Sequence, residues 1–304
     1  MSIQWFPGHM HKARKQVKET LPLIDIIIDV LDARIPFSSE NPMIGELRGN
    51  KPCIKILTKS DLADPQMTDQ WLRYLEQHQH VKALALSIRQ PEKMRQLIDQ
   101  CRIILPAKDK GHKSINVMIV GIPNVGKSTL INILADKKIA KAGNEPAVTK
   151  GQQKINLRNG IMLFDTPGML WPKVESEKSS YRLATTGAIK DTAMSYDDVA
   201  FFAADFLLKA YPKRLLERYK LDVLPATELE LLEIIGKQRG CLVRGGRVDL
   251  EKISTIFINE LRSGKLGPIT LETPAMTEQE TIEVDIELAK KAARKNKKQL
   301  SRPQ

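Results

Sequence analysis

The sequence predicts an α/β fold, in which a mostly parallel sheet carries helices on both faces, followed by a smaller all-helical C-terminal domain. Apolar, β-branched runs alternate with helical patterns in the first half of the chain. After about Ser176 only helical periodicity remains. These observations place an α/β domain at residues 1–175, a helical domain at 176–275, and a basic tail with a helical start and a disordered end at 276–304.

Six segments have the composition of strands. The first, 24–31, is apolar on both faces, which is typical of a strand buried in a parallel sheet. The others are 53–58, 81–87, 115–121, 152–157 and 161–165. The letters RNG between the last two predict a hairpin turn.

Helical periodicity appears first in residues 91–105, where Met94, Leu97, Ile98 and Cys101 share one face. It returns in residues 200–219 and 226–240. A helical region therefore follows the predicted sheet.

Composition limits the class of protein. The 304 residues are 42% hydrophobic and 28% charged, which is typical of a globular protein with a core. No apolar run approaches the ~20 residues that span a bilayer, and the start lacks a secretory pattern, so we expect a cytoplasmic monomer with no membrane partner.

The three cysteines are too scattered for a disulfide framework or a zinc site. A net charge of +12 favours a polyanionic partner, although many basic proteins bind no nucleic acid.

Residues 121–129, GIPNVGKST, match the phosphate-loop pattern G-x-x-x-x-G-K-[ST] between a buried strand and an apolar helix. Gly121 and Gly126 would let backbone N–H groups surround a phosphate. Lys127 can bridge the β- and γ-phosphates, and the Ser128 hydroxyl can bind Mg²⁺. The nucleotide-binding residues predicted here are Asn124, Val125, Gly126, Lys127, Ser128 and Thr129.

DTPG, residues 165–168, ends a second apolar strand. Asp165 would hold Mg²⁺, and the N–H of Gly168 would face the γ-phosphate. Between the two motifs, Thr149 is the candidate threonine of a mobile switch that meets Mg²⁺ and the γ-phosphate. A plain surface threonine is the alternative. The predicted Mg²⁺ ligands are Ser128, Thr149 and Asp165.

TKSD, residues 58–61, resembles the base-reading signature N-K-x-D of GTPases. Guanine has adjacent N1–H and N2–H₂ donors, and the carboxylate of Asp61 can accept from both. Adenine has no such pair, so the site would discriminate by roughly 10⁴ or more. The stem of Lys59 can cover the base. Thr58 stands where asparagine is usual, which leaves one contact open, and Ser87 lies in a weak candidate loop near the guanine oxygen.

The motifs stand in an unusual order, because the base-reading segment precedes the phosphate loop. A parallel sheet permits this if the usual ends are joined and new ends are cut elsewhere. The basic connector 106–114 is the candidate join. A cut after DTPG would lead the switch segment directly into the helical region.

With these residues the chain resembles the circularly permuted GTPases, and closely those of ribosome biogenesis. The likeness rests on WFPGHM, DARIP, TKSD, GIPNVGKS, PAVTKG, DTPG and LWP, which span most of the chain. It implies a circularly permuted P-loop GTPase domain that binds GTP or GDP with Mg²⁺. It also implies a role in late assembly of the large ribosomal subunit, ribosome-stimulated hydrolysis, and a helical domain that contacts ribosomal RNA rather than DNA.

The resemblance also bears on catalysis. Many GTPases orient the attacking water with a glutamine just after D-x-x-G, but this chain has Met169. The family's proposed substitute maps onto His9, in the N-terminal arm 1–20, which makes His9, Lys127 and Thr149 the catalytic candidates. RNA contact or simple packing are the alternatives for His9. Asn124 resembles the asparagine of potassium-activated GTPases, so K⁺ is a further candidate cofactor; a turn-stabilising asparagine is the alternative.

Two rival functions remain. The chain could be an RNA-binding assembly scaffold that uses GTP only as a conformational ligand, which Met169 favours. It could also be an ATP-using P-loop enzyme, for which Asp61 would have no explanation.

Overall fold

The computed structural model describes residues 9–106, 108, 114–139, 153–157, 160–171 and 174–300, with the backbone alone for 9, 10 and 294–300. Strands occur at all six predicted positions, with slightly different ends because hydrogen bonding decides where a strand stops. They are β1 (Ile26–Asp32), β2 (Cys53–Thr58), β3 (Val81–Ala85), β4 (Ile115–Val120), β5 (Gln153–Asn156) and β6 (Ile161–Asp165).

The strands form one sheet in the order β3–β2–β1–β4–β6–β5. All neighbours are parallel except β5, which pairs antiparallel with β6, as the predicted hairpin requires. Residues 158 and 159 of its turn lie outside the described residues. Parallel strands share one carboxyl edge. The segments that follow β1, β2, β3, β4 and β6 therefore meet on one side of the sheet, whatever their order in the chain.

Helices cover both faces of the sheet, as predicted. On one face, Ala13 and Val17 pack with Val120, Phe164 and Met169. The other face is buried under α4, α5 and α6 in a larger cluster. The helices of the described residues are α1 (His9–Thr20), α2 (Pro42–Arg48), α3 (Pro65–Leu75), α4 (Pro91–Arg95), α5 (Leu97–Ile104), α6 (Lys127–Leu134), α7 (Glu177–Thr186), α8 (Tyr196–Ala210), α9 (Pro212–Tyr219), α10 (Glu228–Gln238), α11 (Leu250–Arg262) and α12 (Pro274–Leu300).

Some helices differ from their predicted extents. Residues 91–105 form two helices that meet at Gln96. Residues 200–219 divide before Pro212, because the proline ring disfavours a helical conformation at the preceding residue. The last helix extends further than predicted, to Leu300, through strong helix formers such as alanine, lysine and glutamine. No helix among the described residues is long and apolar enough to cross a membrane.

The helical region shares its core with the sheet. One cluster of buried side chains includes Ile28 and Val117 of the sheet together with Leu183 and Phe257 of the helices. The boundary predicted near residue 176 therefore marks a change of secondary structure within a continuous core. As a boundary between domains it stays a prediction.

A buried charge network joins the end of the helical region to the loop after β1. Glu272 accepts hydrogen bonds from the N–H groups of Phe37 and Ser38 and from the Ser38 hydroxyl. Burial raises the pKa of Glu272, against the opposing effect of Arg182. The Arg182 guanidinium donates to both oxygens of Glu280 at 2.7 and 2.8 Å, and its Nη1 lies 3.5 Å from Glu272.

We expect Arg182→Met to lower the free energy of unfolding by about 3 kcal/mol or more, because it removes the buried cation beside Glu272 and leaves Glu280 only the exposed Lys178. Urea denaturation would measure this through the fluorescence of Trp71, whose indole N–H donates to Glu272 O. Lys209→Ala is the control, since it removes an exposed pair with Asp205 worth about 0.5 kcal/mol at most. Equal losses in the two variants would contradict the prediction.

Candidate nucleotide-binding site

The loop between β4 and α6 has the backbone shape of a phosphate-binding loop. Gly121 has φ = +147°, and a Cβ there would lie 2.4 Å from the carbonyl oxygen of Val30. Gly126 has φ = +97° and caps α6. Glycine thus allows the loop to lie against β1 and then turn into the helix. The first N–H groups of α6 have no intrahelical partner, so this helix end can bind an anion.

Lys127 lies buried within this loop. Its Nζ donates to the carbonyl oxygens of Gly121 and Ile122 at 2.9 and 2.8 Å. Burial lowers the pKa of Lys127 to about 8, against the opposing effect of Asp165. A bound phosphate can offer this ammonium a charged acceptor in place of neutral carbonyls.

Asp165 ends β6, close enough to Lys127 for the two charges to interact. Its Oδ2 has no hydrogen-bond partner among the described residues. Burial raises the pKa of Asp165 to about 6, against the opposing effect of Lys127. Ser128 and Thr129 are half-buried on the first turn of α6. An unsatisfied carboxylate oxygen and a hydroxyl are donors that Mg²⁺ takes together with phosphates and water, so Asp165 and Ser128 fit this ion.

Gly168 packs against the phosphate loop from the other side. A Cβ there would lie 3.0 Å from the N and Cα atoms of Pro123 and 3.2 Å from Lys127 Nζ. The next residue, Met169, donates its N–H to Gly121 O at 3.2 Å, and its side chain is buried. Its thioether therefore lies in the core, where it can orient no water.

Thr58, at the end of β2, ties the base-reading segment to the phosphate loop. Its hydroxyl faces the carbonyl oxygens of Leu31, at 2.8 Å, and Val125. One proton serves one acceptor at a time, so the hydroxyl is shared between them. A Cβ on Gly126 would lie 3.9 Å from Thr58. The predicted base-reading and phosphate-binding segments therefore form one site.

The structure brings Asp61 and Ser87 together. The Ser87 hydroxyl donates to Asp61 Oδ1 at 2.7 Å. The other oxygen, Oδ2, lies 3.1 Å from Nε of Arg89, an exposed side chain that the sequence reasoning missed. The only indication in the sequence that Arg89 belongs to this site is its position two residues after Ser87.

Lys59 has a buried partner that the sequence reasoning also missed. Its Nζ donates to Asp32 Oδ2 at 2.8 Å, and Arg34 donates to both oxygens of the same carboxylate. Burial alone would raise the pKa of Asp32. The positive charges of Arg34 and Lys59 outweigh this effect and hold the pKa well below its usual range. Asp32 and Arg34 belong to the DARIP motif at the end of β1, which singled out this segment but did not name Lys59 as its partner.

Two predicted site residues, Thr149 and His9, lie wholly or partly outside the described residues. Thr149 lies outside the described residues, as do residues 109–113 of the predicted connector. The backbone of His9 starts α1, but its side chain is not described. The roles of both residues stay predictions.

The sequence and the structure of this chain are similar to those of known GTPases. A family model described as "50S ribosome-binding GTPase" matches residues 116–232. The structure resembles that of GNP-bound YlqF from T. maritima, with a TM-score of 0.60 and 26% identity, over 86% of this chain and 98% of that one. A Bacillus cereus protein named Ribosome biogenesis GTPase A is 48% identical over 281 residues, which cover 90% of this chain and 95% of that protein. Its Priestia megaterium namesake is 50% identical over 287 residues, which cover 92% and 99%.

The chain belongs to the ribosome biogenesis GTPase A family. As a member it is a GTPase of ribosome biogenesis, and the predicted guanine nucleotide is confirmed at the level of the family. The circularly permuted P-loop GTPase fold is also confirmed, since the likeness to YlqF spans both the sheet and the helical region. The early position of TKSD in the chain follows from this permutation.

We expect Asp61→Asn to change the base preference from guanine to xanthine. Its amide presents one acceptor and one donor, which suit the N1–H and C2 carbonyl of xanthine. Affinity for GTP should fall by a factor on the order of 10⁴, measured by competition of GTP and XTP against a fluorescent nucleotide. Ser87→Ala is the control, because it removes the hydrogen bond to Asp61 but leaves both carboxylate oxygens as acceptors for guanine. This variant should still prefer GTP. Retention of a GTP preference in the Asn variant would contradict the assignment of Asp61.

Proposed function

We propose that this protein is a GTP-hydrolysing factor for late maturation of the large ribosomal subunit, slow alone and stimulated by that subunit. The observation that carries the proposal is a phosphate site with Lys127, Ser128 and Asp165 in place, combined with a buried Met169 where a water-orienting residue is usual. A partner would then complete catalysis. The family description "50S ribosome-binding GTPase" supports the large subunit. That the protein is a cytoplasmic monomer stays a prediction.

The roles of the phosphate-site residues follow from their chemistry. Lys127 stabilises the charge that develops on the β- and γ-phosphates, and the N–H of Gly168 donates to the γ-phosphate. Ser128 and Asp165 would hold Mg²⁺, and Thr149 is the proposed further ligand in the triphosphate state. When bound, the metal neutralises negative charge on the phosphates. Asn124 would contribute its carbonyl to a K⁺ ion, which stays a prediction.

His9 is the proposed group that orients the attacking water. Its helix, α1, packs through Ala13 in the same cluster as Met169, the residue after DTPG. Since His9 starts that helix, we propose that its imidazole serves the phosphate site from the N-terminal end of α1.

We expect His9→Ala to lower subunit-stimulated hydrolysis by about 10²–10⁴-fold and to leave nucleotide affinity unchanged. Single-turnover hydrolysis of GTP, with and without large ribosomal subunits, measures this. His11→Ala on the same helix is the matched control. Normal stimulation of the His9 variant would exclude its catalytic role, and no acceleration of the wild type would favour the scaffold function.

The helical region offers a surface for ribosomal RNA at the turn between α10 and α11. Leu242 and Val248 form a bridge, and Val243 N donates to Arg247 O at 2.9 Å. The exposed turn carries Arg244 and Arg247, which have no carboxylate partner among the described residues. Two free guanidinium groups on a hydrogen-bonded turn suit the phosphates of an RNA backbone.

We expect the double variant Arg244→Ala, Arg247→Ala to reduce co-sedimentation with large subunits and to lower its dependence on salt, because two phosphate contacts are lost. GTP binding should be unchanged. The control Lys82→Ala, Lys209→Ala removes the same charge from ion-paired positions. Equal binding of both double variants would show that the turn makes no contact.

A further inference from the structure

The C-terminal end of α7 contacts the phosphate loop. Asn124 Nδ2 donates to the carbonyl oxygen of Gly187 at 2.7 Å. Gly187 caps α7 in the left-handed conformation, with φ = +81°. Asn124 itself has φ = +60°, which is unusual for a residue other than glycine and persists only where the surroundings hold it. The hydrogen bond to Gly187 therefore helps to hold the backbone of the phosphate loop at Asn124 in this conformation.

Arg262, the last residue of α11, holds this end of α7 in place. Its guanidinium donates to Ala184 O at 2.7 Å and to Thr185 O at 3.0 Å, and it pairs with Asp191 at 3.1 Å. These carbonyls belong to the last turn of α7, where Ala184 O also accepts from the N–H of Gly187 and where the helix dipole favours a cation. The side chain also lies against Gly187, where an added Cβ would be 3.5 Å from the guanidinium carbon.

The same residue reaches the base-reading side of the site through its backbone. Arg34 Nη1 donates to Arg262 O at 3.4 Å. Arg34 in turn holds Asp32, the buried partner of Lys59. The end of α11 is therefore linked to both halves of the nucleotide site.

We propose that Arg262 is a positioning residue of the nucleotide site, which sets the affinity for GTP by holding the end of α7 against Asn124. This inference rests on the proposed phosphate site but not on any ribosomal contact. Since α11 belongs to the helical region, a partner that moves α11 changes nucleotide affinity. By linkage, the bound nucleotide changes the affinity for that partner equally.

The test is the dissociation constant of a fluorescent GTP analogue, with single-turnover hydrolysis of GTP, in Arg262→Ala. We expect affinity to fall by about tenfold, the effect of one lost charged hydrogen bond, and hydrolysis at saturating GTP to stay unchanged. Arg262→Lys should recover part of the affinity, because an ammonium reaches one of the two carbonyls. Arg239→Ala is the matched control, since this arginine follows α10 and pairs with Glu260, which lies on the same helix as Arg262.

A double-mutant cycle with Asn124→Ala separates positioning from general damage. If Arg262 acts through Asn124, then Arg262→Ala has no further effect on affinity once Asn124 is alanine. Full additivity of the two variants would overturn the proposal, as would wild-type affinity in Arg262→Ala. Normal GTP binding by Asn124→Ala would also overturn it, because the contact between Asn124 and Gly187 would then not set the affinity. Failure of the wild-type protein to bind GTP would instead refute the proposed phosphate site. Should Arg262→Ala not fold, the cycle is run with Arg262→Lys.

Discussion

Parallel pairing of β1 with both β2 and β4 is the constraint on which the nucleotide site depends. It brings Thr58, at the end of β2, within hydrogen-bonding distance of the phosphate loop that follows β4. The absence of a side chain at Gly121 lets that loop lie directly against β1. Because each segment enters the site from the carboxyl end of a strand, the chain can be cut and rejoined elsewhere without moving any of them.

Burial of charge gives the site its chemical character. Lys127 and Asp165 are both held in a low-dielectric setting, where burial works against the charged form of each. Groups of this kind interact more strongly with a bound phosphate or metal ion than they would in water. The same burial takes Met169 out of the chemistry and leaves water orientation to another part of the chain or to a partner.

The helical region supports the site as well as following it in sequence. Its buried side chains are continuous with the core beneath the sheet. Glu272 connects it to the loop after β1, and Gly187, at the end of α7, connects it to Asn124 of the phosphate loop. Such contacts are the route by which a bound nucleotide can affect the helical region, because a ligand shifts a distant equilibrium only through differential interactions.

The sequence by itself determined the α/β class, the six strand positions, the glycines of the phosphate loop and the motifs that place the chain in its family. The strands follow from local periodicity. The glycines and the motifs are recognisable because few structures other than a nucleotide site need those residue types in that order. Only the tertiary structure decided that Thr58 bonds the phosphate loop, that Asp32 holds Lys59 and that Arg262 caps α7. Each of these pairs joins elements that are adjacent only after the sheet has formed, and a lone aspartate or arginine carries no local pattern that names its partner. Sheet order and core packing brought them together.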